Sequence, residues 1–258
     1  MVETFKGRFN LEAQTPAQSV EYVGSGEYPY EVKTPRGTIK AKQIVHATNG
    51  HAGHLLPGIR GALFPVRGQM TAQSPTKSFG IQGGTQSWSI NYGTGFDYMT
   101  QSGQTGEIFL GGGLLQAGQS GVGELGNVLD NSNNILSRAH LGGIINSVWS
   151  TGPENAASAG LLASWTGVMG FTSDILPMVG HLSKEATGRE GDGEWMAAGY
   201  NGYGMPNAWL CGKHIANQLL GKEDTVKFPR AYLLTDERLK SMSGGNAAKH
   251  WLTMLGLD

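Results

Sequence analysis

Apolar and polar residues alternate through most of the first 45 positions. The segments FNLEAQ (9–14), SVEYV (19–23), YEVKT (30–34) and TIKAKQIVHA (38–47) are separated by the turn formers Gly24-Ser25-Gly26 and Pro35-Arg36-Gly37. A period of two bounded by such turns predicts a β-meander from Phe9 to Val45. Its last segment differs, because Ile44, Val45, His46 and Ala47 run without polar alternation into Thr48-Asn49-Gly50. That pattern predicts a buried strand ending in a loop, the place where α/β sheets put their ligands.

From about Gly61 to Ser164 the chain is richer in Gly, Gln and Ser, with strands expected at FPVRGQMTAQ (64–73), QSWSINYG (86–93) and GEIFLGGG (106–113). These predict a second lobe built on a sheet. Ile135, Leu136, Leu141, Ile144, Ile145 and Val148 recur at three to four residues and predict a helix near Asn131 to Trp149, weakened by Gly142-Gly143. Further on, the strand WMAA (195–198) enters GYNGYGMP (199–206), and a second helix follows. Pro206 suits its first turn, Gly221 suits its end, and Ala208, Cys211, Ile215 and Leu219 give one buried face. The tail from Lys222, with Tyr232-Leu233-Leu234 and Trp251-Leu252, is expected to pack back on the same lobe.

Composition narrows the function classes. The 258 residues carry 19 Lys+Arg against 20 Asp+Glu, a net charge of -1, so a nucleic acid held through phosphate contacts is not expected. The partner expected is a small molecule. With 39% hydrophobic residues and 6 Trp the chain can bury a sizeable core. One cysteine, Cys211, supplies neither an internal disulfide nor a thiolate metal cluster, and its place on a helix face points to packing. No run approaches the roughly 18 apolar residues of a membrane span, and MVETFKGRFN lacks the apolar core of a secretion signal. A cytoplasmic protein without membrane attachment is expected.

Several motifs compete for the chemistry. Gly121-Val122-Gly123-Glu124-Leu125-Gly126 matches GxGxxG, yet LLQAGQS separates it from its strand and turn formers follow it. A dinucleotide fingerprint needs the strand to feed the glycines and a helix to follow, so the match is set aside. His46, His51 and His54 lie close together but lack a carboxylate at ligand spacing, which argues against zinc. No G-x-S-x-G, C-x-x-C or Walker loop occurs. The Gly199–Pro206 segment is built like a ligand loop: glycines allow close approach, and the helix start supplies N–H groups with about half a positive charge. A purely structural strand-turn-helix fits the same residues.

Four ordered segments carry a resemblance: IVHATNGHAGHLLPGIRGALFPVRGQM (44–70), EIFLGGG (107–113), WTGVMGFTSDILPMVG (165–180) and GYNGYGMP (199–206). Together they resemble the D-amino-acid-oxidase-like family of FAD-dependent oxidoreductases, in its fungal-type branch, over about residues 8 to 221. The resemblance implies an α/β plus antiparallel-sheet fold. A partial, Rossmann-like FAD-binding lobe would comprise 1–60 and 171–258, and a mixed or antiparallel substrate-binding sheet 61–170. It implies FAD as cofactor, with Thr48, Asn49, Gly199, Tyr200, Asn201, Gly202, Gly204 and Met205 near it, and a substrate pocket lined by Tyr92, Tyr98 and Met169. The activity implied is oxidation of a C–N bond in an amine or amino-acid-like substrate by hydride transfer to the flavin.

Two departures follow from the comparison. Family members begin with a strand, GxGxxG and helix that hold the FAD pyrophosphate, and this sequence starts after that region. The alternative reading is therefore a truncated, non-catalytic relative or binding module that cannot hold FAD. In WTGVMGFTSD, moreover, Met169 and Gly170 stand where amino-acid-oxidising members have an Arg that clamps the substrate carboxylate. A thioether cannot make that two-pronged bond. An amine, an N-alkylated compound or a larger metabolite is expected over a simple α-amino acid, unless Arg67 or Lys213 reaches the carboxylate from elsewhere.

Overall fold

The structure is a computed structural model that describes residues 3–24, 26–74, 79–93, 95–149, 160–225, 227–242 and 253. The meander forms as a three-stranded antiparallel sheet of β1 (Ser19–Tyr22), β2 (Tyr30–Thr34) and β3 (Gly37–Ala41). FNLEAQ is not part of it. Gln14 takes φ 54, which breaks an extended run, and Leu11 stays 71% exposed with no sheet to pack on.

β4 (Ile44–His46) leaves the meander and pairs parallel to β11 (Glu194–Ala198), which pairs antiparallel to β10 (Met178–His181). Val45 is 44% exposed, so β4 is covered on one side only, where His46 is buried. The helix α3 (Gly204–Leu219) packs on this sheet through Cys211 and Ile215, against Val179 and Ala197. Ala208, expected on that face, is exposed, and His214 is buried in its stead.

The largest sheet contains β5 (Leu63–Gln73), β6 (Trp88–Tyr92), β7 (Gly95–Gln101), β8 (Ile108–Gly112) and β9 (Leu161–Thr172) in the order β6-β7-β8-β5-β9, antiparallel throughout. β5 and β9 form its spine, in register from Leu63 opposite Thr172 to Ala72 opposite Ala163. The helix α1 (Ile135–Trp149) covers one face, burying Leu141 and Ile145 against Met99, Ile108 and Leu110. Each such aliphatic side chain contributes about 1.5–3 kcal/mol. The Asn134 side chain starts this helix by accepting from the N–H groups of Leu136 and Ser137. Ile135, Leu136 and Val148 point outward, 71%, 60% and 49% exposed, so the buried stripe is narrower than the spacing suggested.

Alternate residues of β5 separate the two faces of the sheet. Arg67, Gln69, Thr71 and Gln73 face α1, where Gln73 Nε2 donates to Leu141 O at 2.7 Å. Gly68, Met70 and Ala72 face the other way, onto a surface that no helix covers among the described residues. The central core joins the sheets through Leu56, Ile59, Leu63, Met178 and Met196 with Ala186 of α2 (Lys184–Thr187), closed by Leu239 and Met242 of α4 (Asp236–Met242). Arg238 anchors this helix, with Nε 2.8 Å from Asp174 and further bonds to the carbonyls of Leu176, Pro177 and Tyr232. Leu234 packs on the core and its N–H donates to Val179 O at 3.0 Å, while Trp251 and Leu252 lie outside the described residues. No described helix is long and apolar enough to cross a membrane.

Candidate functional site

β4, β9 and β11 converge on one joint made of backbone amides and two asparagines. Asn49 follows β4 with φ 45, and its Oδ1 accepts the Gly199 N–H at 2.9 Å. Asn201, at φ 53 and 5% exposed, accepts the Thr172 N–H at 2.9 Å and donates Nδ2 to Gly199 O at 2.7 Å. Its own N–H donates to Gly170 O at 2.9 Å. A left-handed backbone suits Asn better than most residues, because its short amide bonds locally.

The glycines here are required by close approach. A Cβ on Gly170 would lie 2.4 Å from Asn49 Oδ1, one on Gly50 2.7 Å from Met169 O, and one on Gly199, at φ 73, 2.6 Å from Thr172 Cγ2. Sequence reasoning found Asn49, Gly199 and Asn201, and the structure brings them together. It missed Thr172 and the backbone role of Gly170, since neither type in a strand signals a partner some 30 residues away.

Beyond the joint the chain turns through Gly202, at φ 82 with open space where a Cβ would point, into Gly204, the first residue of α3. No side chain caps this helix. Its first-turn N–H groups therefore keep the partial positive charge of a helix start. Met205 is 97% exposed beside them, and Thr48 is exposed at the end of β4. Tyr200 contributes backbone only: its ring packs in the core under α3 and its hydroxyl bonds Cys211. Burial pushes both hydroxyl and thiol up, which disfavours a reactive thiolate at the buried Cys211.

On the opposite side of β9 from Gly170 and Thr172 lies the open face of the five-stranded sheet. Gly68 and Gly167 stand opposite each other there without side chains, and the Met169 methyl lies over Gly68, 2.9 Å from where a Cβ would sit. One step along, the registers align Tyr98, Gly111, Met70 and Trp165 in a row across four strands. The Tyr98 ring and Met70 Sδ both overlie Gly111, within 2.4 Å of its missing Cβ position. Burial and then the nearby Asp97 carboxylate push the Tyr98 hydroxyl up.

The remaining candidates lie elsewhere. Tyr92 is on the helix-covered face, with its hydroxyl 3.1 Å from Asp97 and its ring 5.2 Å from His140. Burial and Asp97 push that hydroxyl up to about 12. Tyr92 and Tyr98 therefore face opposite sides of the sheet. Arg67 cannot take a substrate carboxylate, because Nε and Nη2 hold Glu124 at 2.6 and 3.0 Å while Nη1 binds the Leu129 and Ser132 carbonyls. Lys213 bonds Thr225 on the far side of α3. His46 is buried against Glu194 at 2.7 Å, apart from the exposed His51 and His54. GVGELG lies in an irregular 3-10 stretch where Gln119, Ser120 and Gly121 have positive φ, and no α-helix begins there before Ile135.

Comparison with known structures gives a consistent fold. Glycine oxidase from Geobacillus kaustophilus superposes with a TM-score of 0.58 at 21% identity, over 86% of this chain and 52% of that one. L-proline dehydrogenase from P.horikoshii gives 0.55 at 21% identity, over 81% and 50%. Amadoriase I from Aspergillus fumigatus, a fructosyl amine:oxygen oxidoreductase, gives 0.61 at 15% identity, over 88% and 50%. The chain thus spans about half the length of these structures. No protein of curated function matches the sequence significantly. The family model for FAD dependent oxidoreductase, DAO, matches residues 8–218, and the chain belongs to that family.

Proposed function

We propose that this chain forms the flavin-edge and substrate side of an FAD-dependent oxidoreductase acting on the C–N bond of an amine or amino-acid-like small molecule. The observation that carries the reading is the joint of Asn49, Gly170, Thr172, Gly199 and Asn201, which ties an uncapped helix start to the end of β9, the strand whose other side carries the glycine-paired open face. The residues present fit one part of the cofactor. Asn49 fixes the Gly199 amide, Gly202 leaves room for close approach, and Gly204 and Met205 open a helix whose dipole favours an electron-rich ring edge. The chemistry that FAD supplies when bound is acceptance of a hydride from the carbon of a C–N bond.

The protein's part is to hold, orient and dry the reacting groups. Met70, Met169, Tyr98 and Trp165 on the open face offer an apolar floor and walls for a substrate laid against the Gly68–Gly167 strip. The neighbours named glycine oxidase, L-proline dehydrogenase and amadoriase support a nitrogen-bearing substrate. The test is a visible spectrum of the purified chain after incubation with excess FAD and desalting. A retained flavin band, lost in Gly202→Val, is the expected result, and a bare protein spectrum overturns the reading.

A further inference from the structure

A cavity of about 100 Å³ lies between α3 and the segment 222–232 that folds back along it. None of the residues assigned above to the flavin or the substrate lines it. Its charged and titrating lining includes Lys213, His214, Asp224 and Lys227, and its apolar walls include Pro206, Leu210, Phe228 and Pro229. His214 is 7% exposed, with Nδ1 2.5 Å from Asp224 Oδ2 and its ring stacked on Phe228 at 3.8 Å between centroids. The other carboxylate oxygen, Asp224 Oδ1, accepts from Asn217 Nδ2 at 2.9 Å. The imidazole is thus held by a carboxylate at one nitrogen and by an aromatic face, which leaves Nε2 for a ligand.

The balance of charge around the cavity decides what it takes. The Asn217 amide and then His214 hold the Asp224 carboxyl below its ordinary 3.8, so it is ionised near neutral pH. Burial pushes the Cys211 thiol up, which disfavours a second anion, and the Tyr232 hydroxyl is engaged with Asn207 Oδ1 at 3.2 Å. Lys213 Nζ meets the Thr225 hydroxyl at 2.9 Å, and among the described residues neither Lys213 nor Lys227 is ion-paired. Two ammonium groups therefore stand against one carboxylate, and the lining is positive whether His214 is neutral or protonated. A carboxylate entering here meets ammonium donors, joined by Nε2–H when His214 is protonated. The apolar walls favour hydrocarbon, which an inorganic anion lacks. A cavity of about 150 Å³ accepts benzene, so this one admits a ligand of roughly four to five heavy atoms. We propose that the cavity binds a short-chain alkyl carboxylate, its carboxylate between Lys213, Lys227 and His214 and its hydrocarbon against Pro206, Leu210 and Pro229. This is a second small-molecule site, and its ligand bridges α3 to the segment that follows it.

An NMR titration of the full chain with sodium propionate tests it, read at the His214 imidazole signals at constant ionic strength. Propionamide, which keeps the shape without the charge, and inorganic phosphate, which keeps the charge without the hydrocarbon, are the controls. The expected result is a saturable shift with an affinity at least ~10-fold above either control. Lys213→Met and Lys227→Met each weaken it ~5-fold, and both side chains are exposed, so the variants keep the urea midpoint of the native chain. Lys222→Met removes the same charge outside the cavity and leaves the affinity unchanged. Absence of a saturable shift, equal affinity for propionamide or phosphate, or an equal loss in Lys222→Met overturns the proposal. No flavin takes part in this binding, so the outcome is independent of the cofactor assignment.

Discussion

Asn201 combines a left-handed backbone with side-chain and backbone bonds to Gly170, Thr172 and Gly199, so its replacement tests the joint directly. Asn201→Ala leaves the buried Thr172 N–H and Gly199 carbonyl without partners and keeps the strained φ. A loss of about 2–4 kcal/mol in urea unfolding is expected. Gly170→Ala drives a methyl into Asn49 Oδ1 and frees the Gly199 amide, which is expected to weaken FAD retention about 10-fold with a smaller change in stability. A second residue-scale effect involves Glu194. Burial acts to raise its pKa, but the bidentate Arg189 guanidinium and His46 hold it below the ordinary 4.5. Its folded pKa is therefore depressed, so the stability it contributes is present above about pH 4.5 and is lost as pH falls through the lower folded value. Glu194→Gln is expected to lower stability at pH 7 and to flatten the acid limb of the stability–pH curve. The glycine punctuation that made Gly199 and Asn201 visible in the sequence has no counterpart at Thr172. Its role comes from pairing across the fold, which no local pattern encodes.

Among the elements, α3 and β5 were legible because each combines a clear period with a terminator, Gly221 past one helix end and Gly61 before the strand. β7 was hidden because Asp97 and Gln101 occupy its buried positions, 0% and 3% exposed, so its polar residues face inward and the usual reading of alternation fails. Asp97 is satisfied there by Tyr92, His140 and the Gly113 N–H, contacts that exist only after folding. β9 was hidden by Gly167 and Gly170, the second of which serves the close approach to Asn49 and Gly50. In α1 the periodic apolar residues included outward ones, and this separates two substitutions of the same kind. Leu141→Ala, at a fully buried position, is expected to cost about 2–5 kcal/mol, whereas Leu136→Ala, on the solvent side, stays within about 0.5 kcal/mol. Equilibrium denaturation of the two variants side by side checks the assignment of the buried face.

For the molecule as a whole, a net charge of -1 coexists with large exposed apolar side chains, Met205 at 97% and Trp209 at 82% among them. Near-zero charge removes the repulsion that keeps such surfaces apart. The solubility minimum measured by polyethylene glycol precipitation is therefore expected near neutral pH, with Trp209→Lys raising it. The asparagine joint has a further consequence for motion. It ties the end of β9 in the five-stranded sheet to the loop after β11 in the other sheet, through a few shared amide bonds. Neither sheet can open its edge here without breaking the same few bonds. The amide protons of Thr172, Gly199 and Asn201 should thus exchange with deuterium at one common rate, rising together in Asn201→Ala, as a single hinge pin shared by two plates.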